Sequence, residues 1–453
     1  MKNLTIENII SAVNGEYFGD ASLLKEEISS VTTDSRAVTR DCLFAAIKGE
    51  NSDGHDYIGT ALDTGALCAI GERCPENDKF PMIIVKNTIT ALGELAAFYR
   101  RQFDIPVLGI TGSVGKTTAK EMISAVLSRR FRVHKTAKNL NNDLGVPLTL
   151  FGLNESHEFA VIEMGISHFG EMKRLAEIVH PNMALYTTIG FAHLEFLGDF
   201  DGVLKAKTEM LEYLPENGIV FINGDDETLR KLTCKQKICL YGMSHDCEVT
   251  AENVRLLGTD GMELEIVSGA RRIPCKINSF GVHMVTAALG AAAVGLQMGL
   301  TDDEISAGIA SYVPVGSRSG IIDTGKITII DDCYNANPTS VAAAVDSLSL
   351  LEGRRVCILG DMGELGETAS KLHFETGAHA AEKGIDLVIA CGELSSSTAE
   401  GASSEGDSSV VYFNSKEKFF AELPRLIEKG DSVLVKASHS QRFEEIVEAL
   451  KTL

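Results

Sequence analysis

A glycine-rich segment carries the strongest chemical signal in the sequence. It reads Gly109-Ile110-Thr111-Gly112-Ser113-Val114-Gly115-Lys116-Thr117-Thr118 and lies between an apolar run and a helical pattern. Glycines in such a turn let backbone N–H groups close on phosphate oxygens, and the N-terminus of the following helix adds its positive dipole. Lys116 can reach the β- and γ-phosphates of a nucleotide, and Thr117 can ligate Mg²⁺. Although the glycine spacing differs by one residue from the strict motif, the segment predicts a phosphate-binding loop rather than a plain strand-to-helix turn.

Two candidate metal ligands follow apolar runs further along the chain. Glu163 ends the run Phe159-Ala160-Val161-Ile162, where a carboxylate can hold Mg²⁺ beside Thr117. An acid at a strand end is often only a surface residue or a cap, but Gly165 close behind it favours the approach of a ligand. His193 lies just after a run that ends at Ile189. A lone histidine is usually a structural residue, so the residues alone leave the role of His193 open.

Three apolar runs in the last third of the chain also end in polar or glycine-rich turns. The first turn is Asp331-Asp332-Cys333-Tyr334-Asn335-Ala336-Asn337-Pro338, and the others cover residues 360–366 and 436–440. Each turn alone could be a capped loop. Because ligands of open α/β sheets bind beyond the carboxyl ends of the strands, three such turns on one sheet predict a ligand-binding edge.

The elements that must position these residues follow from the spacing of the apolar runs. After a linker around Pro106, runs recur at 107–110, 159–162, 184–186 and 219–222, and after a second change near 311–316 they recur at 327–330, 356–359, 387–390 and 433–435. Helical patterns lie between them, which is typical of βαβ units and parallel sheets. The first hundred residues show shorter mixed segments, with helical stretches near 58–66 and 89–100. The sequence therefore predicts an α/β protein with three parts.

Composition excludes several classes of protein. The 453 residues include 42 Lys and Arg against 63 Asp and Glu, a net charge of −21, which argues against nucleic acid or an anionic membrane as a partner. No apolar run reaches the roughly 18 residues that a bilayer requires, and the N-terminus lacks the pattern of a signal peptide. The ten scattered cysteines form no Cys-x-x-Cys pair, so we expect reduced thiols and a cytoplasmic protein without membrane insertion. Residues 101–140 are nevertheless locally basic, with eight Lys and Arg against two acids.

Taken in order, these residues resemble the ATP-dependent Mur ligases of bacterial cell-wall synthesis over nearly the whole chain. Besides the phosphate loop, the resemblance includes Asp34-Ser35-Arg36, Glu163-Met164-Gly165, His193 and the turns at 332–338 and 360–366. It implies three domains. They are a small mixed α/β domain that binds a UDP-sugar substrate (1–100), a central phosphate-loop ATPase domain on a parallel sheet (101–312), and a Rossmann-like α/β ligase domain (313–453).

The resemblance also implies the site residues of an amide ligase that uses ATP and Mg²⁺. Lys116, His193 and Lys207 would be catalytic, and Thr117, Glu163, His193 and Lys207 would hold the metal ions. ATP would be bound by Gly112, Ser113, Val114, Gly115, Lys116, Thr117, Thr118, Arg318, Asp332, Tyr334, Asn335 and Asn337. Ser35 and Arg36 would contact the UDP group, and Asn141 and Asn142 would contact the remainder of that substrate.

A carbamylated lysine is a further feature that the resemblance implies. The family uses a lysine that has combined with CO₂ near its second metal ion. Lys205 and Lys207 are both candidates, and Lys207 matches better because Met210-Leu211 follows it at the family spacing. From the residues alone, two solvated lysines on a helix are an equal alternative.

Within the family, residues 141–150 and the 334–338 turn resemble the member that adds D-alanyl-D-alanine to UDP-N-acetylmuramoyl-tripeptide. This implies a monomeric enzyme of peptidoglycan synthesis that forms an acyl phosphate, ADP, phosphate and the UDP-N-acetylmuramoyl-pentapeptide. The alternatives are a Mur-type ligase that adds a single third amino acid and a ligase similar to folylpolyglutamate synthase. A slow nucleotide switch is disfavoured because no guanine-reading Asn-Lys-x-Asp segment occurs, and a purely structural protein would leave the strand-end turns unexplained.

The chain departs from the family's pattern at Met284 and Thr286, where asparagines are usual, and at His439, where arginine is common.

Overall fold

The N-terminal part of the computed structural model, which describes residues 1–74 and 80–453, is built on a five-stranded sheet. The strands are Glu16–Phe18 (β1), Val31–Thr32 (β2), Leu43–Ala45 (β3), Cys68–Gly71 (β4) and Met82–Ile84 (β5), in the order β1-β5-β4-β3-β2. Only β1 runs antiparallel to its neighbour. The helices are Ile6–Val13 (α1), Ile58–Thr64 (α2) and Thr88–Arg100 (α3), with short 3₁₀ turns at Ala21–Lys25, Ser35–Ala37 and Gly54–Tyr57. The two helices expected near 58–66 and 89–100 are therefore present.

A six-stranded, fully parallel sheet forms the centre of the molecule. Its strands are Val107–Thr111 (β6), Val133–Lys135 (β7), Phe159–Glu163 (β8), Met183–Tyr186 (β9), Ile219–Asn223 (β10) and Lys237–Tyr241 (β11), in the order β11-β10-β9-β6-β8-β7. The connecting helices are Lys116–Leu127 (α4), Gly145–Leu150 (α5), Glu171–Val179 (α6), Leu194–Leu197 (α7) and Phe200–Thr208 (α8), followed by 3₁₀ turns at Glu209–Tyr213 and Leu229–Lys231. The strand order reverses at β6, between β8 and β9, which is where such sheets bind ligands.

Helix α4 shows why the segment after the phosphate loop is helical. Its apolar side chains recur every three or four residues and are all buried: Ala119, Met122, Ile123, Val126 and Leu127. This stripe packs on the sheet and against a later helix, His283–Gln297 (α9). The packing fixes the N-terminus of α4, and with it Lys116, at the carboxyl end of β6.

A small antiparallel sheet follows the central one and was not predicted. Its strands are Thr250–Leu256 (β12), Met262–Ser268 (β13) and Arg271–Ile277 (β14). Alternate residues of β13, namely Met262, Leu264 and Ile266, are buried, which is the period-two pattern of a strand with one covered face. Helices α9 and Asp302–Ala310 (α10) pack beside it, and a 3₁₀ turn lies at Gly258–Asp260.

The last part of the chain is a six-stranded sheet in which one edge strand is antiparallel. Its strands are Gly320–Asp323 (β15), Thr328–Asp331 (β16), Arg355–Gly360 (β17), Leu387–Cys391 (β18), Ser409–Phe413 (β19) and Ser432–Lys436 (β20), in the order β15-β16-β20-β17-β18-β19. The helices are Pro338–Ser349 (α11), Ala369–Glu382 (α12), Ser395–Ser404 (α13), Lys416–Leu426 (α14) and Glu444–Lys451 (α15), with 3₁₀ turns at Gly366–Thr368 and His439–Gln441. The turns expected to form a ligand edge follow β16, β17 and β20, which are neighbours in this sheet.

The predicted α/β class and the parallel organisation are confirmed, since every apolar run named above contributes to a strand. Helix α3 ends at Arg100, β6 begins at Val107, and α10 ends at Ala310. The domain limits at 100 and 312 fall near these ends and stay a prediction. In the described ranges, no helix combines the length and apolar character needed to cross a bilayer.

Candidate active site

The phosphate-loop segment adopts a backbone that requires glycine at two positions. Gly112 has a φ of +150°, and a Cβ atom there would lie 1.9 Å from Oγ1 of Thr187. Gly115 has a φ of +82° and occupies the position before the first turn of α4. Left-handed backbone and close approach both exclude larger residues. The Nζ atom of Lys116 folds back to donate to the Gly112 carbonyl at 2.8 Å.

Glu163 lies at the centre of a buried polar network beside this loop. The Thr117 hydroxyl donates to both carboxylate oxygens, at 3.2 and 3.0 Å, and the Asn141 amide donates to Oε1 at 2.8 Å. The Glu163 backbone N–H is fixed by Oγ1 of Thr136 at 2.9 Å. The predicted metal ligands Thr117 and Glu163 are therefore adjacent, and their orientation is determined by neighbouring groups.

Lys120 belongs to the same network, although sequence reasoning counted it only among the local basic residues. Its side chain is fully buried, and Nζ donates to the carbonyls of Thr136 at 2.8 Å and Lys138 at 3.3 Å. Nζ also lies 3.7 Å from Glu163. It thus ties helix α4 to the loop that carries Asn141. Its spacing is the sequence signal that could have identified it. Residues three apart on a helix lie on the same face, so Lys120 is expected beside Thr117.

The two candidate lysines of α8 have different environments. Lys205 is exposed, whereas the side chain of Lys207 is 1% exposed. Burial, and secondarily the charge of Lys116, holds the pKa of Lys207 well below its usual value. Among the described residues, no acidic side chain forms an ion pair with Lys207. A depressed pKa favours the neutral form of a buried amine, and the neutral amine is the form that combines with CO₂.

The C-terminal sheet supplies the opposite wall of the site. The guanidinium of Arg318 lies over the ring of Tyr334, 3.6 Å from its centroid, a cation–π arrangement. Asp332 accepts from the Ser319 backbone N–H at 3.0 Å and from Nζ of Lys436 at 2.5 Å. Lys436, which sequence analysis placed only in a strand-end turn, is almost completely buried and also donates to the Asn335 carbonyl at 3.1 Å. It holds the turn after β16 against the end of β20.

Two of the predicted ligand-binding asparagines also have structural roles. Asn337 is the N-cap of α11, where its side chain accepts from the Ser340 backbone N–H at 2.8 Å, and Pro338 follows at the first helical position. Asn142 accepts from the Gly145 backbone N–H at 2.8 Å at the start of α5. Their amide oxygens are therefore engaged in the structure, while both residues still line the cavity described next.

One cavity of about 510 Å³ brings together most of the predicted residues. The predicted residues that line it are Ser113, Val114, Gly115, Lys116, Thr117, Thr118, Asn141, Asn142, Glu163, His193, Arg318, Asp332, Tyr334, Asn335 and Asn337. Lys120 and Lys207 are buried and do not line it, and the Gly112 carbonyl accepts a hydrogen bond from Lys116. Ser35 and Arg36 do not reach this cavity; Arg36 is exposed and pairs with Asp34. Their proposed contact with the UDP group stays a prediction.

The three departures from the family's pattern are placed differently with respect to this cavity. Thr286 lines it, whereas Met284 is fully buried in the core and does not. The His439 ring lies 5.5 Å from the ring of Tyr334, measured between centroids, so it packs against the residue that Arg318 covers.

The charged side chains that line the cavity are Lys116, Arg318 and Lys436 against Glu163 and Asp332, so basic residues slightly outnumber acidic ones in an otherwise acidic protein. Lys116 and Lys436 approach from opposite sheets, together with Arg318. Burial lowers the pKa of Lys116, with Glu163 opposing this shift and Arg318 adding to it. Such a site favours a polyanionic ligand, because the phosphate groups would relieve the repulsion between these cations.

His193 contacts the C-terminal part of the chain. Its Nδ1 lies 2.7 Å from Oε2 of Glu364. The N–H bond does not point at that oxygen, so the two groups are in contact without a well-aligned hydrogen bond. The contact lowers the pKa of Glu364, with burial opposing. Because the Glu364 side chain is 56% exposed, such a pair adds only about 0–1 kcal/mol to the free energy of unfolding.

The donor set is compatible with Mg²⁺. Within residues 1–74 and 80–453, there is no cluster of three or more His, Cys, Asp or Glu side chains suited to a metal ion. Mg²⁺ needs no such cage, because it is usually held by one or two carboxylates, with waters and substrate phosphates completing the shell. The adjacent oxygens of Thr117 and Glu163, at the edge of a cation-lined cavity, fit that pattern.

Comparison with known proteins gives matches along most of the chain. Three family models match: "Mur ligase family, catalytic domain" over residues 27–100, "Mur ligase middle domain" over 110–295, and "Mur ligase, glutamate ligase domain" over 317–439. A relative from Escherichia coli, named UDP-N-acetylmuramoyl-tripeptide–D-alanyl-D-alanine ligase, is 36% identical and covers 100% of this chain and 99% of its own.

Two solved structures are also similar. MurF from Acinetobacter baumannii has a TM-score of 0.92 and 31% identity, with 99% of both chains covered. MurF ligase from Thermotoga maritima in complex with ADP has a TM-score of 0.84 and 28% identity, covering 93% of this chain and 97% of its own.

Proposed function

The chain belongs to the Mur ligase family, and we propose that it joins D-alanyl-D-alanine to UDP-N-acetylmuramoyl-tripeptide at the cost of ATP. The observation that carries the chemistry is the shared cavity, in which the phosphate loop, Glu163 and Arg318 meet from two different sheets. The choice of substrates is supported by end-to-end similarity to ligases named for these two compounds. Peptidoglycan synthesis is the corresponding process.

The reaction consists of two displacements. A carboxylate is a poor electrophile toward an amine, so one oxygen of the tripeptide's terminal carboxylate first attacks the γ-phosphorus of ATP, and ADP leaves. The product is an acyl phosphate. The amine of D-alanyl-D-alanine then attacks the acyl carbon, loses a proton, and expels inorganic phosphate. An amide bond forms, and the original carboxylate oxygen departs on the phosphate.

The residues of this chain mainly bind and orient two anions for the first displacement. Backbone N–H groups of the phosphate loop hold the β- and γ-phosphates, and Lys116 neutralises the charge that develops between attacking and leaving oxygens. Arg318 approaches the phosphates from the C-terminal side, and the Asp332–Asn337 turn contacts ribose and adenine. Asn141, whose amide donates to Glu163, and Asn142, which lines the same cavity, contact the UDP-linked substrate.

Mg²⁺ would be held by Thr117 and Glu163, and by His193 together with a carbamylated Lys207. There the metal would neutralise phosphate oxygens. CO₂ would convert the Lys207 amine from a potential cation next to Lys116 into an anion. This exchange would replace the repulsion between the two lysines with attraction.

The test measures phosphate release from purified full-length protein, with each component omitted in turn. We expect release only when ATP, Mg²⁺, UDP-N-acetylmuramoyl-tripeptide and D-alanyl-D-alanine are all present. Parallel reactions pair UDP-N-acetylmuramoyl-dipeptide with lysine or diaminopimelate, and a folate with glutamate, which are the substrate pairs of the alternative ligases. Equal phosphate release without the dipeptide, or faster release with a single amino acid, would contradict the proposal.

A further inference from the structure

Residues 188–195, which we name the coupling segment, connect the phosphate loop to the C-terminal sheet. At its start, the Ser113 backbone N–H donates to the Thr188 carbonyl at 2.7 Å. The Ser113 hydroxyl also lies 3.0 Å from the Gly190 nitrogen. The N-terminal end of the segment is therefore bound to the loop that holds the phosphates.

The remainder of the coupling segment lies against the C-terminal part of the chain. A Cβ atom on Gly190 would lie 2.7 Å from Oγ1 of Thr339, so the Gly190 backbone lies close to the Thr339 side chain. Phe191 packs on a core cluster that includes Val341 and Leu365. At the end of the segment, His193 meets Glu364. The segment thus contacts both sheets that form the cavity.

The partner of His193 is held rigidly in the turn after β17. The backbone N–H of Met362 donates to Nε2 of the buried His373 at 3.0 Å, and that of Gly363 donates to the Ser438 hydroxyl at 2.8 Å. Glu364 follows directly, with a φ of +61°. Its carboxylate is therefore projected from an anchored backbone toward the central sheet.

His193 itself is oriented by a left-handed backbone, with a φ of +54° at the start of α7. Glu364 contacts Nδ1, and among the described residues Nε2 has no hydrogen-bond partner. A metal-binding histidine usually has its second ring nitrogen fixed by a carboxylate or carbonyl, which sets the tautomer and the ring orientation. Glu364 lies close enough to do this from the turn after β17, once the ring turns so that the N–H at Nδ1 points at the carboxylate.

We propose that Glu364 is a positioning residue. It fixes Nδ1 of His193 so that Nε2 can take a metal ion, and it does so only while the C-terminal domain is docked on the central domain. The inference rests on the ligase function proposed above. It adds that metal binding at His193 and docking of the two domains are coupled through one carboxylate.

The test compares Glu364→Ala with the matched control Glu367→Ala in the full-length protein. Glu367 is exposed on the same turn. Binding of Mn²⁺, as a probe for Mg²⁺, is measured by electron paramagnetic resonance in the presence of a non-hydrolysable ATP analogue. We expect about tenfold weaker Mn²⁺ binding in Glu364→Ala and unchanged binding in Glu367→Ala. Equal affinity in wild type and Glu364→Ala would overturn the proposal.

A double-mutant cycle with His193→Ala tests whether Glu364 acts through His193. If it does, the double variant binds Mn²⁺ no more weakly than His193→Ala alone, whereas independent roles would give effects that multiply. Because Mn²⁺ binding needs no acceptor substrate, this result is independent of whether wild type forms the pentapeptide. Failure of the proposed function would instead appear as a wild-type enzyme that gives no dipeptide-dependent phosphate release.

Discussion

Replacement of Lys116 by alanine is expected to lower kcat by about 10³-fold, since the variant loses the cation nearest to the developing charge. The fold should be unaffected, because Nζ donates its hydrogen bond to the Gly112 carbonyl of the same loop. Glu163 also keeps its contacts with Thr117, Asn141 and Lys120. The measurement is steady-state phosphate release, with thermal unfolding followed in parallel.

Lys173→Ala is the matched control for that experiment. Lys173 is an exposed lysine of helix α6 in the same domain, and we expect its removal to leave kcat and the unfolding temperature near those of wild type. A Lys116→Ala enzyme with full activity would show that the phosphate loop is misidentified. A variant that loses its cooperative unfolding would show instead that Lys116 is structural.

The second large effect is expected at Lys207, whose replacement by alanine should lower kcat by at least about 100-fold. Burial and, secondarily, the charge of Lys116 hold the pKa of this amine well below its usual value, which favours the neutral form that reacts with CO₂. In wild type, strict removal of CO₂ should lower activity and added bicarbonate should restore it. The carbamate itself should give a ¹³C resonance after labelling with ¹³CO₂.

Lys205→Ala provides the control for Lys207, because it removes an exposed lysine two residues away on the same helix. This variant should keep its activity and its dependence on CO₂. If Lys205→Ala loses activity and Lys207→Ala does not, the assignment of the two lysines is wrong. If both variants remain active and insensitive to CO₂, this chain does not use a carbamate.

Much of the fold could be predicted because buried parallel strands are continuous apolar runs. The runs at 107–110 and 159–162 became β6 and β8, and the polar residues that follow them meet at one sheet edge. The antiparallel unit β12–β14 was missed, since its alternating pattern resembles an ordinary surface segment until a covering helix is known.

The part of the site that could not be predicted consists of contacts between distant segments. Lys120 donates to the carbonyls of residues 136 and 138, and Lys436 donates to Asp332. These contacts form because tertiary packing brings distant segments of the chain together. The His193–Glu364 contact joins two different sheets. Local sequence identifies residue types at strand ends, but it does not give the pairing of buried charges across the cavity.

The net charge of −21 therefore says little about the ligand of the cavity. Where the two sheets face each other, Lys116 and Arg318 supply positive charge, whereas Lys436 is paired with Asp332. An acidic protein can thus present positive charge locally to a polyanionic ligand.

The central claim is that the tripeptide carboxylate becomes an acyl phosphate before the amide bond forms. The most direct test uses UDP-N-acetylmuramoyl-tripeptide whose terminal carboxylate carries ¹⁸O, with ATP, Mg²⁺ and D-alanyl-D-alanine. Mass spectrometry of the products should find one ¹⁸O atom in the released phosphate for each amide bond formed, because the carboxylate oxygen leaves with the phosphorus. Phosphate free of ¹⁸O, formed together with the pentapeptide, would contradict the account.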